Sequence, residues 1–173
     1  MKKLIFSICF MCVFISYGQT EFAITESGLS PKYISAEMNA FTASQLYTKT
    51  MGWIAENSKK YKLSVDQTNE NVSVHLSYVK GNAVILDKQY YNVDYKVKIH
   101  FGDGKYSFEP AEIRLKLNSK YDMGWKDFDL TDGASYFKKG KPLRKYRSYI
   151  ENLTKALNEV QLDLFTHLKS TEN

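Results

Sequence analysis

Cysteine, proline, histidine and arginine are all scarce in this chain. Of its 173 residues, two are Cys, three are Pro and three are His, and the arginines are Arg114, Arg144 and Arg147. Both cysteines, Cys9 and Cys12, fall within the first dozen residues. The rest of the chain therefore has no thiol nucleophile, no disulfide and no cysteine metal ligand, and must hold together by its core alone. No Gly-rich phosphate loop, His-rich metal motif or Gly-x-Ser-x-Gly elbow is present, and no cofactor or catalytic residue is assigned. There is no internal repeat and no low-complexity stretch. A composition of 43% hydrophobic, 14% aromatic and 25% charged residues excludes a disordered chain and a multi-pass membrane protein.

The one long apolar run, Leu4 to Ile15, follows Lys2 and Lys3 and precedes Ser16-Tyr17-Gly18. A short basic region, an apolar core and small residues at the cut predict a secretory signal over 1–18. Ile8 before Cys9 and Met11 before Cys12 are not the small residue that lipidation requires, so no lipid anchor is expected. The mature chain is expected in the periplasm or outside the cell, with no transmembrane segment. Cleavage after residue 18 leaves 155 residues, the size of one domain that buries roughly two thirds of its unfolded surface. Loss of Lys2 and Lys3 lowers the net charge from +5 to +3, too mild for nucleic acid.

Residues 19–29 are polar and are expected as a flexible lead-in. Residues 30–168 are expected as a single domain, and 169–173 as a tail. Residues 31–38 alternate, with Ile34, Ala36 and Met38 on one side, which predicts a strand. Thr42 with Gln45 three residues on makes a capping box for a helix over 42–58, whose apolar stripe holds Leu46, Tyr47, Thr50, Met51, Trp53 and Ile54. Leu63 and Val65 suit a short strand. Val72, Val74, Leu76 and Tyr78 alternate with polar residues, and so do Tyr91, Val93, Tyr95, Val97, Ile99 and Phe101. Such alternation predicts a sheet with one buried and one wet face.

Asp103-Gly104 predicts a two-residue hairpin turn pairing Phe101 with Tyr106 and Ile99 with Phe108. That register would turn Ile113, Leu115 and Leu117 onto the wrong face. One extra residue near Glu109-Pro110-Ala111 corrects it, so a β-bulge is predicted there, where the missing proline donor also does no harm. Residues 118–142 are weakly periodic but hold Trp125, Phe128, Tyr136 and Phe137, so they are expected to pack rather than hang free. Residues 143–168 carry Tyr146, Ile150, Leu153, Leu157, Val160, Leu164 and Leu168 at helical spacing, predicting a last helix across the buried face of the sheet.

Strand, helix, a run of antiparallel strands and a long final helix is the order of a TBP-like half-domain. The words Leu46-Tyr47-Thr48-Lys49-Thr50 with Trp53-Ile54, Val93 to Ile99 followed by Asp103-Gly104-Lys105-Tyr106, and Leu130-Thr131-Asp132-Gly133 resemble a family of exported bacterial domains of unknown function with a TBP-like fold. The resemblance spans about 30–168. It implies an α+β, TBP-like fold of order β-α-β-β-β-β-α, with an antiparallel sheet of about five strands and two helices on one face. It carries over no functional residue, and fold does not imply function.

Three constellations remain. Alternation places His75 and His100 on the wet face, and antiparallel pairing of their strands sets His75 near Asp94, an arrangement a hydrolase would use and that an ordinary cross-strand polar pair also explains. Asp127, Asp129, Asp132 and Gly133 only partly follow a calcium loop, because Thr131 stands where the third ligand belongs, and loop-stabilising Asp is expected instead, with no metal. Lys138, Lys139, Lys141, Arg144, Lys145 and Arg147 place six cations within ten residues, where a helix drawn from 143 has its positive end. Either that helix begins later or the patch meets an anion. Tyr136, Phe137, Tyr146 and Tyr149 surround it. The expected function is a non-catalytic, envelope-associated binding or scaffold domain, whose partner is an envelope protein, a lipid or a glycan. Its contact surface is the wet sheet face together with segment 136–149, and the alternative is binding of an anionic lipid or glycan through that segment alone.

Overall fold

The computed structural model describes residues 20–121 and 124–170, and the predicted signal peptide with its two cysteines lies outside them. The core of the fold is a five-strand antiparallel path: β3 (Ile34–Glu37), β7 (Lys105–Leu117), β6 (Gln89–Gly102), β5 (Ser73–Leu86) and β4 (Leu63–Asn69), in that spatial order. A sixth, two-residue strand, β8 (Lys126–Asp127), shares the outer edge of β7 with β3. Helices α1 (Ala43–Tyr61) and α2 (Arg147–Ser170) cover one face. The expected order of strand, helix, four strands and helix is therefore β3-α1-β4-β5-β6-β7-α2.

Helix α1 starts as its sequence dictates. Thr42 Oγ1 accepts from the Gln45 amide at 3.3 Å, while Gln45 Oε1 accepts from the Thr42 amide at 2.8 Å. The hairpin turn adds a further cap, since Asp103 Oδ1 accepts from the Ala43 amide at 2.9 Å. The helix runs three residues past the expected Ser58 and ends with Lys62 in the left-handed region at φ 56°. Lys59 and Lys60 stand in its last turn, against the negative end of the dipole. Leu46, Thr50, Trp53 and Ile54 are buried.

The sheet obeys the predicted parity. Phe101 pairs with Tyr106 and Ile99 with Phe108 across Asp103-Gly104. Val97 then pairs with Pro110 and Lys96 with Glu112, so Ala111 is the extra residue of the bulge. Tyr106, Phe108 and Pro110 before it, and Ile113 and Leu115 after it, are all buried on the helix side. Val74, Leu76, Tyr78, Val93, Tyr95, Val97 and Ile99 complete that layer. The Tyr95 hydroxyl donates to the Leu153 carbonyl of α2 at 2.8 Å, which holds this helix over the middle of β6.

Two expectations are corrected. From residue 20 onward, the segment expected as a loose lead-in over 19–29 is ordered. Within it, β1 (Ala23–Thr25) pairs with β2 (Gly28–Ser30), and Phe22, Ile24 and Leu29 are buried. Asn158 of α2 pins Phe22 through both backbone groups, at 2.8 and 3.0 Å. Apolar residues in a polar stretch are buried here by contacts far along the chain, which local composition does not report. Helix α2, secondly, begins at Arg147 rather than 143 and continues to Ser170, into the expected tail. A small hairpin, β9 (Phe137–Lys138) with β10 (Lys141–Pro142), follows a 3-10 turn at Ala134–Tyr136. The Leu143 amide donates to the Tyr136 carbonyl at 2.8 Å, and the Tyr146 and Arg147 amides converge on the Leu143 carbonyl. Those backbone bonds hold 143–146 as a turn.

The β1–β2 hairpin and the segment after β8 interlock through two glycines. A β-carbon on Gly28 would lie 2.3 Å from the Leu130 carbonyl oxygen, and one on Gly133 would lie 2.0 Å from the Thr25 carbonyl oxygen. Gly52, mid-helix in α1, has open space instead. Gly133→Ala is expected to cost roughly 1–3 kcal/mol by forcing the two backbones apart. Gly52→Ala is expected to add about 0.5–1 kcal/mol by favouring the helix. Chemical denaturation of both variants measures the contrast, and the same sign for both would contradict the interlock.

Candidate functional site

The basic segment lies on the β9–β10 hairpin and the turn into α2. Lys138, Lys139, Lys141, Arg144, Lys145 and Arg147 are all exposed. Among the described residues, no carboxylate lies within 4.0 Å of any of the six. Because α2 begins at Arg147, the first five stand outside the helix, and the conflict with its dipole is largely removed. Beneath them lies an aromatic cluster. Phe128 stacks on Tyr136 with centroids 5.6 Å apart, Tyr146 meets Tyr136 edge-on at 5.1 Å, and Tyr149 lies 5.8 Å from Tyr136. Such pairs add about 0.5–1.5 kcal/mol each beyond their burial, so the segment is held firmly without regular structure. Tyr149 is buried and supports the segment rather than presenting a contact, and its burial pushes the phenol well above the usual range. Lys145 lies 4.4 Å from the centre of the Tyr146 ring, and its hydrogen bond to the Tyr146 side chain raises its pKa.

The aspartates of the neighbouring loop do not converge. Asp129 Oδ1 accepts from the Thr131 amide at 2.7 Å, the Thr131 hydroxyl at 2.7 Å and the Asp132 amide at 3.2 Å. The Thr131 hydroxyl, first, and those amides hold its carboxyl below the usual range. Asp132 Oδ1 accepts from the Ala134 amide at 2.8 Å, and Asp127 stands on β8 opposite Arg114. These are turn-stabilising roles. Among the described residues, no cluster of three or more His, Cys, Asp or Glu side chains has metal-binding geometry.

The wet face differs from expectation. His75 pairs with Lys98 on one side and Gln67 on the other, whereas Asp94 pairs with Val79. Four residues of strand, about 13 Å, separate the expected partners. Strand pairing starts from the turn at Asp87-Lys88, shifts at an irregularity between Lys80 and Val84, and from there sets Ser73 opposite His100. Both turn residues have positive φ, 49° and 64°, without a glycine to signal it. Asp94 instead pairs with Arg114, which also reaches Glu112 at 2.9 Å. Lys96 meets the same Glu112 at 2.9 Å, and His100 lies 3.5 Å from Glu109. The carboxylate of Asp94 is buried, and Arg114 lies 5.8 Å from the Trp125 ring. No histidine is oriented by a buried acid here.

Sequence reasoning missed this ion-pair network and the exposed apolar residues near it. Ile85, Tyr90, Tyr121 and Trp125 are 44, 52, 82 and 37% exposed. The first two flank the unsignalled turn, so their pairing was not legible. The open grooves lie elsewhere, along α2. One of about 420 Å³ is lined by Phe22, Ala23, Asn158 and Leu162, and one of about 480 Å³ by Lys60, Lys80, Glu159 and Asp163. The charges of the second pair with one another, Lys60 with Asp163 at 3.2 Å and Lys80 with Glu159 at 3.6 Å.

Arg114→Met would leave the Asp94 carboxylate without its charged partner, and is expected to lower stability by about 2 kcal/mol. Asp94→Asn in that background should recover part of the loss. A denaturation cycle over the two single variants and the double variant measures the coupling, and strict additivity would remove the pair from the structural account.

Comparison with known proteins agrees with this architecture. The family model described as a domain of unknown function (DUF4468) with TBP-like fold matches residues 35–116. A crystal structure of a DUF4468 family protein from Bacteroides ovatus superposes with a TM-score of 0.63 at 11% identity, covering 79% of this chain and 84% of that one. A TBP-like protein from Parabacteroides distasonis superposes with a TM-score of 0.58 at 16% identity, covering 79% of this chain and 90% of that one. No curated protein matches the sequence. The chain thus has an α+β, TBP-like fold, and over residues 35–116 it resembles the DUF4468 family, as its strand and helix words imply.

Proposed function

We propose that this protein is an exported, envelope-associated domain that acts by binding, and that the basic aromatic segment 136–149 engages an anionic partner. The observation that carries the reading is a contrast in charge pairing. On the wet face, Lys96, Arg114 and His100 each have a carboxylate within 4.0 Å. On the basic segment, none of the six cations has one among the described residues. A cation already paired gains little from a new anion, whereas an unpaired exposed cation offers its full field to an approaching one.

Rigidity supports the same reading. The aromatic cluster under the segment and the hydrogen bond from the Gly140 amide to Glu26, at 2.9 Å, order the hairpin before any partner arrives. Less conformational entropy is then lost on association. The hydrolase reading loses its basis, because His75 and Asp94 stand apart. The flat wet face remains available as a scaffold surface, but its own ion pairs oppose a charged partner. The apolar run and small residues of 1–18 support the export reading, and the mild net charge speaks against a nucleic-acid partner.

Heparin, used as a plain polyanion, tests the segment. The purified mature domain should be retained on a heparin column at low salt and released as salt screens the field. Lys139→Glu/Arg144→Glu should weaken retention by at least about tenfold in apparent affinity. Equal retention of both proteins would reject the segment as the contact surface.

A further inference from the structure

We infer that the anionic partner is a lipid bilayer surface, which the tip of the β5–β6 hairpin enters beside the basic segment. This inference rests on the reading of segment 136–149 as an anion-binding surface and names its partner.

Ile85 and Tyr90 are cross-strand neighbours near the end of the β5–β6 hairpin, on the face away from the helices. Both are exposed. The Asn118 amide donates to the Tyr90 carbonyl at 2.8 Å, so the chain leaving β7 runs past the same tip. Three residues on, Tyr121 is 82% exposed, and the Lys120 ammonium lies 5.5 Å from its ring.

The basic segment reaches this end as well. Tyr95 holds Leu153. Tyr149, in the first turn of α2, and Tyr91 of β6 feel one another's charge, so α2 starts toward the Tyr91 end of β6, and Arg144 and Lys145 precede it in the turn. The charge on Asp87, the carboxylate of the hairpin turn, is felt at Lys145. Ile85, Tyr90 and Tyr121 thus share one end of the molecule with Lys88, Lys120 and Lys145.

The two features call for different chemistry. Cations on long flexible stems suit phosphate headgroups, and tyrosine rings suit the headgroup level. An aliphatic side chain such as Ile85 gains nothing from a soluble polyanion or an acidic glycan, but gains burial at the acyl boundary. A bilayer of anionic lipid is the partner that uses both. Attachment is peripheral for the described residues, since no helix among them is long and apolar enough to cross a membrane.

Co-sedimentation of the mature domain with vesicles tests the inference. Vesicles of equal parts phosphatidylglycerol and phosphatidylcholine are compared with phosphatidylcholine alone, and retention on heparin is measured in parallel. The wild type should sediment with the anionic vesicles only. Ile85→Ser/Tyr90→Ser should lose about tenfold in vesicle affinity while keeping its heparin retention and its thermal transition. Lys139→Glu/Arg144→Glu should lose both. Vesicle binding by Ile85→Ser/Tyr90→Ser equal to wild type overturns the bilayer assignment. So does heparin retention without vesicle binding, which points to an acidic glycan and leaves the basic segment standing. Absence of both kinds of binding in the wild type overturns the segment as well.

Discussion

One extra residue in β7 decides which face of the sheet is apolar. Side chains alternate strictly along a strand, so β7 without Ala111 would bury either Tyr106 and Phe108 or Ile113 and Leu115, never both sets. The bulge lets both halves of the strand face α1 and α2. Around the bulge the other face is left to polar residues, and the ion pairs of Asp94, Lys96, Glu112 and Arg114 follow from that. Proline at 110 sits where a ladder donor is already lost, so the break in pairing carries no further cost.

The second organising contact joins the two ends of the described chain. The β1–β2 hairpin, the loop after β8 and α2 meet through Gly28, Gly133, Phe22 and Asn158. This contact explains why 128–146 keeps a definite shape with hardly any regular structure. Phe128, Tyr136, Tyr146 and Tyr149 pack on one another, and the backbone between them turns tightly at Lys139-Gly140. Rigidity of a segment rich in unpaired cations separates this surface from an ordinary solvated loop.

Electrostatics divides the surface in two. On the sheet face Lys96, His100 and Arg114 each meet a carboxylate, and those charges neutralise one another over a few ångströms. The segment 138–147 contributes six cations and no carboxylate of its own, with Glu26 bonded to its backbone at Gly140. A net charge of +5 over 173 residues is small, but its placement is uneven, and placement governs association more than the total does.

Much of the fold was written in local pattern. The Thr42–Gln45 box, the alternation of β5 and β6, the Asp103-Gly104 turn and the bulge near Pro110 all rest on residues close in sequence, so the chain itself specified them. The six cations were legible for the same reason, since a charge run needs no fold to be seen. Contacts between distant residues settled the rest. Asn158 ordered residues thought loose, and Tyr136 delayed the start of α2. The shifted register of β5 on β6 set His75 opposite Lys98, and that of β6 on β7, beyond the bulge at Ala111, set Asp94 opposite Arg114. That a charge run and an exposed apolar hairpin tip meet at one end was decided only in three dimensions. Strand register and helix placement bring residues 85–90, 118–121 and 144–147 together there, and no local periodicity encodes those separations.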